Sequence, residues 1–349
     1  MPDTGIAVVG GGIAGLTATL ALEAAGLGCA VFERDAALPG GGGGIQLPPN
    51  ASRVLDRLGL GPALDAVAVR PLARELRRWD DDTLVGRVEL GAAAERRYGA
   101  PYRTLRRADL LRVLFERCAA AVRFGHRCIG VEEHRGGVEL RFAGGARHRS
   151  GVVIGADGLH SAIRGCITVD DVRPSGHTVH RALVPAADVP WPAGPPRVLV
   201  WLGPGRHCVC YPVGDAVNVV VVVPAGTGLD AAREGWHPRV RELLAAARDT
   251  VHHGLSDRPP MPRWHRGRLA VIGDAAHPML PFLAQGAAQA IEDAAALAVS
   301  LRTGGGFDRF EHSRRARVDR VVAAVHSGVR AGDHAVPDTL SDHDWLYGC

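Results

Sequence analysis

Four short stretches hold the residues that could do chemistry. "RHCVCYPV" (206–213) has strand character, and its His207 and Tyr211 stand four residues apart, on one face of such a strand. An imidazole and a phenol on one face can take a proton from a bound hydroxyl group and orient what remains. A strand histidine also serves as ordinary packing, and both readings stay open. "GDAAHPMLPFLAQGAAQAIEDAAALA" (273–298) crowds Asp274, two prolines and the run Gln285-Gly286-Ala287 into one strand-to-helix corner. A plain loop needs turn residues but not that set. "GGGIAG" (10–15) follows a short apolar run, and Glu33 lies eighteen residues past Gly15. Gly10, Gly12 and Gly15 make a GxGxxG turn that lets backbone approach a pyrophosphate, with Ile13 and Ala14 opening the helix whose N-terminus faces it. Glu33, followed by Arg34, can accept hydrogen bonds from ribose hydroxyls. "GADGLHSAIR" (155–164) forms a second strand-to-loop corner, with Asp157 and Gly158 at its turn.

These groups need a frame. "IAVV", an apolar helix to about residue 25, and "CAVFER" make a βαβ unit. The glycines from 40 to 44 allow close backbone approach or a flexible turn, and Pro49-Asn50 starts a helix ending at Gly59. Residues 72–98 read as strand-like with polar breaks. "RRADLLRVLFERCA" is amphipathic, with Leu110, Leu114 and Cys118 on one face. Short strands at 122–124, 128–134 and 138–142 precede the second corner. The region 176–223 is β-rich, with strands near 178–184, 197–202, 207–213 and 216–223. A helix near 238–248 and a Pro-rich connection follow, and the end is helical to about 334 before a polar tail. The resulting fold class is α/β: a GxGxxG domain (1–70, 100–172 and 262–300) interrupted by a β-rich domain (71–99 and 173–261), then a helical segment (301–349). Ligands belong at the interface of two such domains.

Composition removes other chemistries. Lysine is absent from the 349 residues, so all 41 basic residues are arginine. No phosphate-binding, Schiff-base or general-base lysine is available. The formal charge of +4 comes from arginines scattered among acids, which argues against nucleic acid. Seven cysteines without a CxxC suit a reducing cytosol, and Cys208 and Cys210 read as small buried hydrophobes. Sixteen histidines show no ligand spacing, so no metal is expected. The longest apolar run, 216–224, is too short to span a bilayer, and no signal peptide is recognised; a cytoplasmic location is expected.

"GGGIAG…ER", "GADGLHSAIR" and "GDAAHPMLP", supported by "GIQLPPN", "RRADLLRVL" and "WLYG", together resemble the single-component flavin-dependent aromatic hydroxylases, the 4-hydroxybenzoate hydroxylase superfamily. Within it the chain is most similar to salicylate hydroxylase, 3-hydroxybenzoate 6-hydroxylase and 6-hydroxynicotinate 3-monooxygenase. The resemblance spans nearly the whole chain. It implies non-covalent FAD, NADH or NADPH as co-substrate, and O2 activated as a flavin C4a-hydroperoxide that attacks an electron-rich ring. It further implies that Asp274 binds the ribityl chain and that Pro281 stiffens the backbone beside the ring. Gln285, Gly286 and Ala287 then bring a helix N-terminus to the flavin, with Gly286 leaving room for ring and oxygen. Arg107 would contact FAD, although Arg106 and Arg107 also suit a solvated helix start. Asp157 and Gly158 would close over the pyrophosphate, with Arg164 in support. Gln46, His207, Tyr211 and Pro281 would line the substrate pocket, His207 and Tyr211 as the catalytic pair.

Two departures bear on the substrate. Cys210 stands where relatives carry another histidine, and the chain is trimmed near residues 165–171 and after Val223. Epoxidation or hydroxylation of a polyketide or indole, and a flavin-binding protein without turnover, are the alternatives. The partners implied are small molecules, with the protein a monomer or homodimer.

Overall fold

The computed structural model describes residues 5–189, 194–248, 250–330 and 344–348. The chain opens with β1 (Ile6–Val9), α1 (Ile13–Ala24) and β2 (Cys29–Phe32). β3 (Gly44–Leu47), α2 (Pro49–Arg57) and α3 (Gly61–Asp65) follow, then β4 (Ala73–Arg78), β5 (Leu84–Glu89), α4 (Ala92–Tyr98), β6 (Arg103–Arg106) and α5 (Arg107–Arg117). β7 (Val122–Arg123), β8 (Cys128–His134), β9 (Gly137–Phe142) and β10 (Arg147–Ser150) lead to β11 (Val152–Gly155) and α6 (Ala162–Ile167). Next come β12 (Arg173–Pro185), β13 (Arg197–Gly203), β14 (Arg206–Val213), β15 (Ala216–Pro224), α7 (Leu229–Ala232), α8 (Pro238–Ala246) and β16 (Val251–Asp257). β17 (His265–Arg266), β18 (Leu269–Val271), α9 (Gly286–Arg302), α10 (Gly306–Arg330) and α11 (Asp344–Tyr347) complete it.

Two large sheets organise these elements, beside a three-stranded sheet β10-β9-β8 and the pair β3-β6. One has the order β17-β18-β11-β1-β2-β7 and is parallel except for the β17–β18 pair. Val8, Val31, Ile154 and Ala270 are fully buried there, as the continuous apolar runs of parallel strands require. The other has the order β16-β12-β15-β14-β13-β4-β5 and is antiparallel except between β13 and β4. Residues 71–99 and 173–261 supply all seven of its strands. We propose that the two sheets mark two domains with the boundaries expected from the sequence.

The two faces of β14 have different surroundings. Cys208 and Cys210 enter an apolar cluster with Trp201, Trp236, Leu243 and Leu244 beneath α8, and burial pushes both thiols up. His207, Val209 and Tyr211 take the opposite face, as a two-residue period demands.

Local readings differ from the structure in several places. Residues 92–98 are helical, not strand-like: "AAAERRY" has strong helix formers, and Gly99 closes it with a left-handed φ of 71°. Strands β6, β10 and β16 went unread, because each is short or rich in charged and polar residues that mask alternation. The helical end is described only to Arg330, and the expected stretch to 334 and most of the polar tail lie outside the described residues. Among the described residues no helix is long and apolar enough to cross a membrane.

Candidate active site

A cavity of about 770 Å³ lies between the C-terminal ends of β1, β2, β11 and β18 and the inner face of the antiparallel sheet. That is where a parallel sheet places its ligands.

At one end the wall is backbone. Gly10 has φ 112°, and a Cβ there would lie 2.3 Å from the Ala156 carbonyl oxygen, so only glycine makes this turn. Gly12, Ile13 and Ala14 line the cavity. The first turn of α1 carries no acidic residue and no capping side chain, which leaves its N–H groups for an anion. Glu33 and Arg34 stand beside them; Glu33 accepts from the Gly11 N–H at 2.5 Å and the Asp35 N–H at 2.9 Å. Gly15 is not on the wall. Its Cβ would meet the Gly10 carbonyl oxygen at 1.8 Å, so its smallness seats α1 on β1.

The middle is built by the two corners. Asp157 lines the cavity beside Gly158 and ties its own loop, accepting from Ser161 Oγ at 2.5 Å and the Ala162 N–H at 2.7 Å. Arg164 is fully buried and donates to the carbonyls of Ala275 (3.1 Å), Ala276 (2.8 Å) and Pro259 (2.8 Å), which joins one corner to the other. On the second corner His277 Nε2 meets Asp293 Oδ2 at 2.6 Å, and the same oxygen accepts from the Gly273 N–H at 3.0 Å. Burial alone would raise the Asp293 carboxyl, but His277 and Arg314 bring it down to about 2. The loop carrying Asp274 is thereby fixed at both ends. Ala284, with a left-handed φ of 52°, turns the chain into α9, whose Gly286, Ala287 and Ala290 line the cavity. Pro281 lines it as well. Gln285 does not: its Oε1 accepts from Asn50 at 3.1 Å and Gln289 at 2.9 Å, away from the space.

Arg107 and Asp274 face each other across this middle. Both side chains are exposed to the cavity rather than packed in the core; desolvation by the surrounding walls lowers the Arg107 guanidinium and raises the Asp274 carboxyl, and each partly offsets the other. Neither side chain hydrogen-bonds another described residue. Ionisable groups left this way in a cavity fit a polar cofactor chain running between them.

The far end is the inner face of the antiparallel sheet. Cross-strand register aligns Arg181 with Val220 and Val209, and Leu183 with Asn218 and Tyr211. His207 sits one pair along, with its ring 5.1 Å from Phe282. Burial lowers the His207 imidazole to about 4, with His177 adding to the effect. Gln46 lines the cavity from β3. The end of the glycine tract makes a close backbone approach: a Cβ on Gly44 would lie 2.7 Å from Asn218 Cβ and 2.8 Å from Tyr211, and the Gly44 N–H donates to Asn218 Oδ1 at 2.5 Å. β3 is thus clamped against the second sheet.

Sequence reasoning missed Arg181. It lines the cavity, burial lowers its guanidinium, and its side chain has no hydrogen-bond partner among the described residues. The signal was present, since an arginine stands among the buried Val179, Ala182 and Val184 of its strand. Met279, Val209 and Val220 were also unread, because apolar lining residues resemble core.

A GxGxxG α/β domain that shares its cavity with an antiparallel sheet defines a two-domain cofactor-dependent enzyme class. The chain matches the FAD-binding-domain family over residues 3–325. It is 42% identical to a 3-amino-4-hydroxybenzoate 2-monooxygenase of Streptomyces platensis, over 98% of this chain and 95% of that one. It is 34% identical to a 3-hydroxybenzoate 6-hydroxylase of Polaromonas naphthalenivorans (strain CJ2), over 92% and 86%. Its structure is similar to Klebsiella pneumoniae HpxO complexed with FAD and uric acid, with TM-score 0.85 and 26% identity over 99% of this chain and 92% of that chain. The chain belongs to this family, as one of its FAD-dependent aromatic monooxygenases.

Proposed function

We propose that this monooxygenase hydroxylates a phenol-like aromatic acid, bound against the face formed by Arg181, His207, Val209, Tyr211 and Val220. The observation that carries the reading is the composition of that face. Val209 and Val220 give an apolar floor for a ring, flanked by a cation without a protein anion and by two groups suited to a hydroxyl. When bound, FAD supplies the redox and oxygen-transfer chemistry, with NAD(P)H and O2 as co-substrates.

The residues then divide the work. The N–H groups of α1 and the carboxylate of Glu33 hold the nucleotide end. Asp274 and Arg107 bind the polar chain between the two ends, and Gly286 leaves space for the flavin ring. Arg181 accepts a carboxylate, the partner its burial calls for. The relatives' names, with their hydroxylated benzoates, support that choice. His207 takes the proton of the ring hydroxyl. Its low basicity in the free site rises once an anionic oxygen forms beside it. Closure of the aromatic against the valines excludes water from the reacting position. The reaction runs in the cytoplasm, in a monomer or homodimer.

The test is a screen of the FAD-loaded enzyme with benzoates, 3-amino-4-hydroxybenzoate among them, and their amides. Acids should accelerate NAD(P)H oxidation and give hydroxylated product, and amides should be poor. Arg181→Gln should erase that difference. Hydrogen peroxide without product for every aromatic, or no acceleration at all, would favour a flavoprotein without this turnover.

A further inference from the structure

Oxygen chemistry in a closed cavity endangers the oxidisable side chains that line it. Among the described residues two sulfurs do so, those of Cys128 and Met279. Cys128 stands at the nucleotide end: two residues before it, the His126 N–H donates to the Glu33 carbonyl at 2.7 Å. A thiolate reacts with peroxide far faster than a thiol, and burial pushes the Cys128 thiol up to about 11. Its Sγ also donates to the Gly130 carbonyl at 3.6 Å. Cys208 and Cys210 lie on the other face of β14, in the cluster beneath α8.

Met279 differs in place and in chemistry. It belongs to the corner between β18 and α9 and is half-buried. Its Cγ would stand 3.8 Å from a Cβ on Gly286, with Asp274 Oδ1 3.9 Å from the same point. The side chain thus borders the space that Gly286 leaves for the flavin ring. A thioether needs no ionisation to react, so burial does not protect it as it protects a thiol. The chain holds three methionines. Met1 lies outside the described residues, and Met261 is 2% exposed in the core around the parallel sheet. Among the described residues, Met279 alone brings a thioether to the cavity.

We propose that Met279 is a modification site: it takes an oxygen atom from the hydrogen peroxide that turnover without product leaves in the cavity, and its sulfoxide weakens FAD binding until the thioether is restored. When no ring accepts the oxygen, a hydride from NAD(P)H, one proton and O2 yield hydrogen peroxide and NAD(P)+. The Met279 sulfur then attacks one peroxide oxygen. The O–O bond breaks, an S–O bond forms, sulfur loses two electrons, and the other oxygen leaves as water. A sulfoxide is polar where the thioether was apolar. Beside Asp274 and Gly286 its added oxygen stands where the cofactor needs room. Methionine sulfoxide reductases reverse the change, so uncoupled turnover switches the enzyme off reversibly. The inference rests on FAD binding with its ring beside Gly286, and not on the choice of aromatic substrate.

The test uses the FAD-loaded enzyme with no aromatic present. It is reduced with dithionite under nitrogen, reoxidised with air in the presence of catalase, and cycled several times. Peptide mass spectrometry should find an added oxygen atom on Met279 and little on Met261. Protein freed of FAD and treated alike should gain none. Cycled wild type should bind FAD about tenfold more weakly than before, and methionine sulfoxide reductase should restore its affinity. Met279→Leu should show one FAD affinity before and after cycling. An unmodified Met279 after full reoxidation, equal oxidation without FAD, or oxidation seen only when catalase is left out would overturn the proposal. So would an oxidised Met279 with unchanged FAD affinity. A protein that oxidises Met279 in this way yet hydroxylates no aromatic acid would uphold the site and sink the substrate reading.

Discussion

His207 is where position and electrostatics pull apart. It lines the far end of the cavity, yet burial holds its imidazole near 4, well below the 6.5 of a free histidine. The unfolded chain binds that proton between those values and the folded chain does not. The neutral ring's contribution is therefore complete above about pH 6.5 and is lost as pH falls toward 4, a window worth at most on the order of 3 kcal/mol. His207→Gln has no such proton to refuse. Its melting temperature should fall less than that of wild type between pH 7.5 and pH 5. Equal falls in the two proteins would show that the ring is not held neutral. His207→Ala, loaded with FAD, should still oxidise NAD(P)H but release more peroxide per product, the loss of a general base typically costing about 10²–10⁴ in rate.

At the scale of elements, the corner from β18 to α9 does most of the site's construction. Gly286 opens α9, and a Cβ there has only Met279 Cγ at 3.8 Å and Asp274 Oδ1 at 3.9 Å near it, so the protein has room for a side chain. The space it would fill is the cavity. Gly286→Val should therefore keep its melting temperature when free of FAD, since valine is at least as good a helix former as glycine. It should bind FAD more weakly or react more slowly once loaded. Absorbance titration and stopped-flow reduction would show it, and unchanged behaviour in both would remove Gly286 from the site.

Much of this corner was legible in the sequence, because Asp274, Pro281 and Gly286 have few structural reasons to occur together. The βαβ unit was legible for the same kind of reason, glycines and an acid at set spacings. Arg181 was not. Its meaning depends on Val220 and Val209, which reach it only through cross-strand register, and local pattern does not carry that. The helix at 92–98 was lost to a different cause, a helical segment too brief to show a period.

At the scale of the molecule, Glu292 and Asp293 on α9 knit the C-terminal helices to the rest. Arg314 bonds Asp293 at 2.8 Å and Glu292 at 2.5 Å. Arg317 bonds Glu292 at 2.6 Å and donates to the carbonyls of Trp345 and Leu346 in α11. Asn50 of α2 donates to Glu292 at 2.6 Å. Removing the cation from such a buried cluster leaves carboxylates uncompensated, typically costing about 3–5 kcal/mol. Arg314→Met should show a loss of that size in denaturant unfolding, and a change below ~1 kcal/mol would place the cluster's stability elsewhere.

The order of the parallel sheet has a consequence for how the protein is made. β11 pairs on one side with β1, which precedes it, and on the other with β18, which follows 114 residues later. At ribosomal speeds of roughly 5–20 residues per second, β11 waits on the order of ten seconds for that neighbour. Throughout the wait the nascent sheet ends in a bare, apolar edge of Val153 and Ile154, ready to pair with any strand that passes. The corner carrying Asp274 arrives only with β18, so the cofactor cannot shield the half-built sheet. Yield on overexpression should therefore depend on slow synthesis or a holdase during this interval more than on supplied flavin.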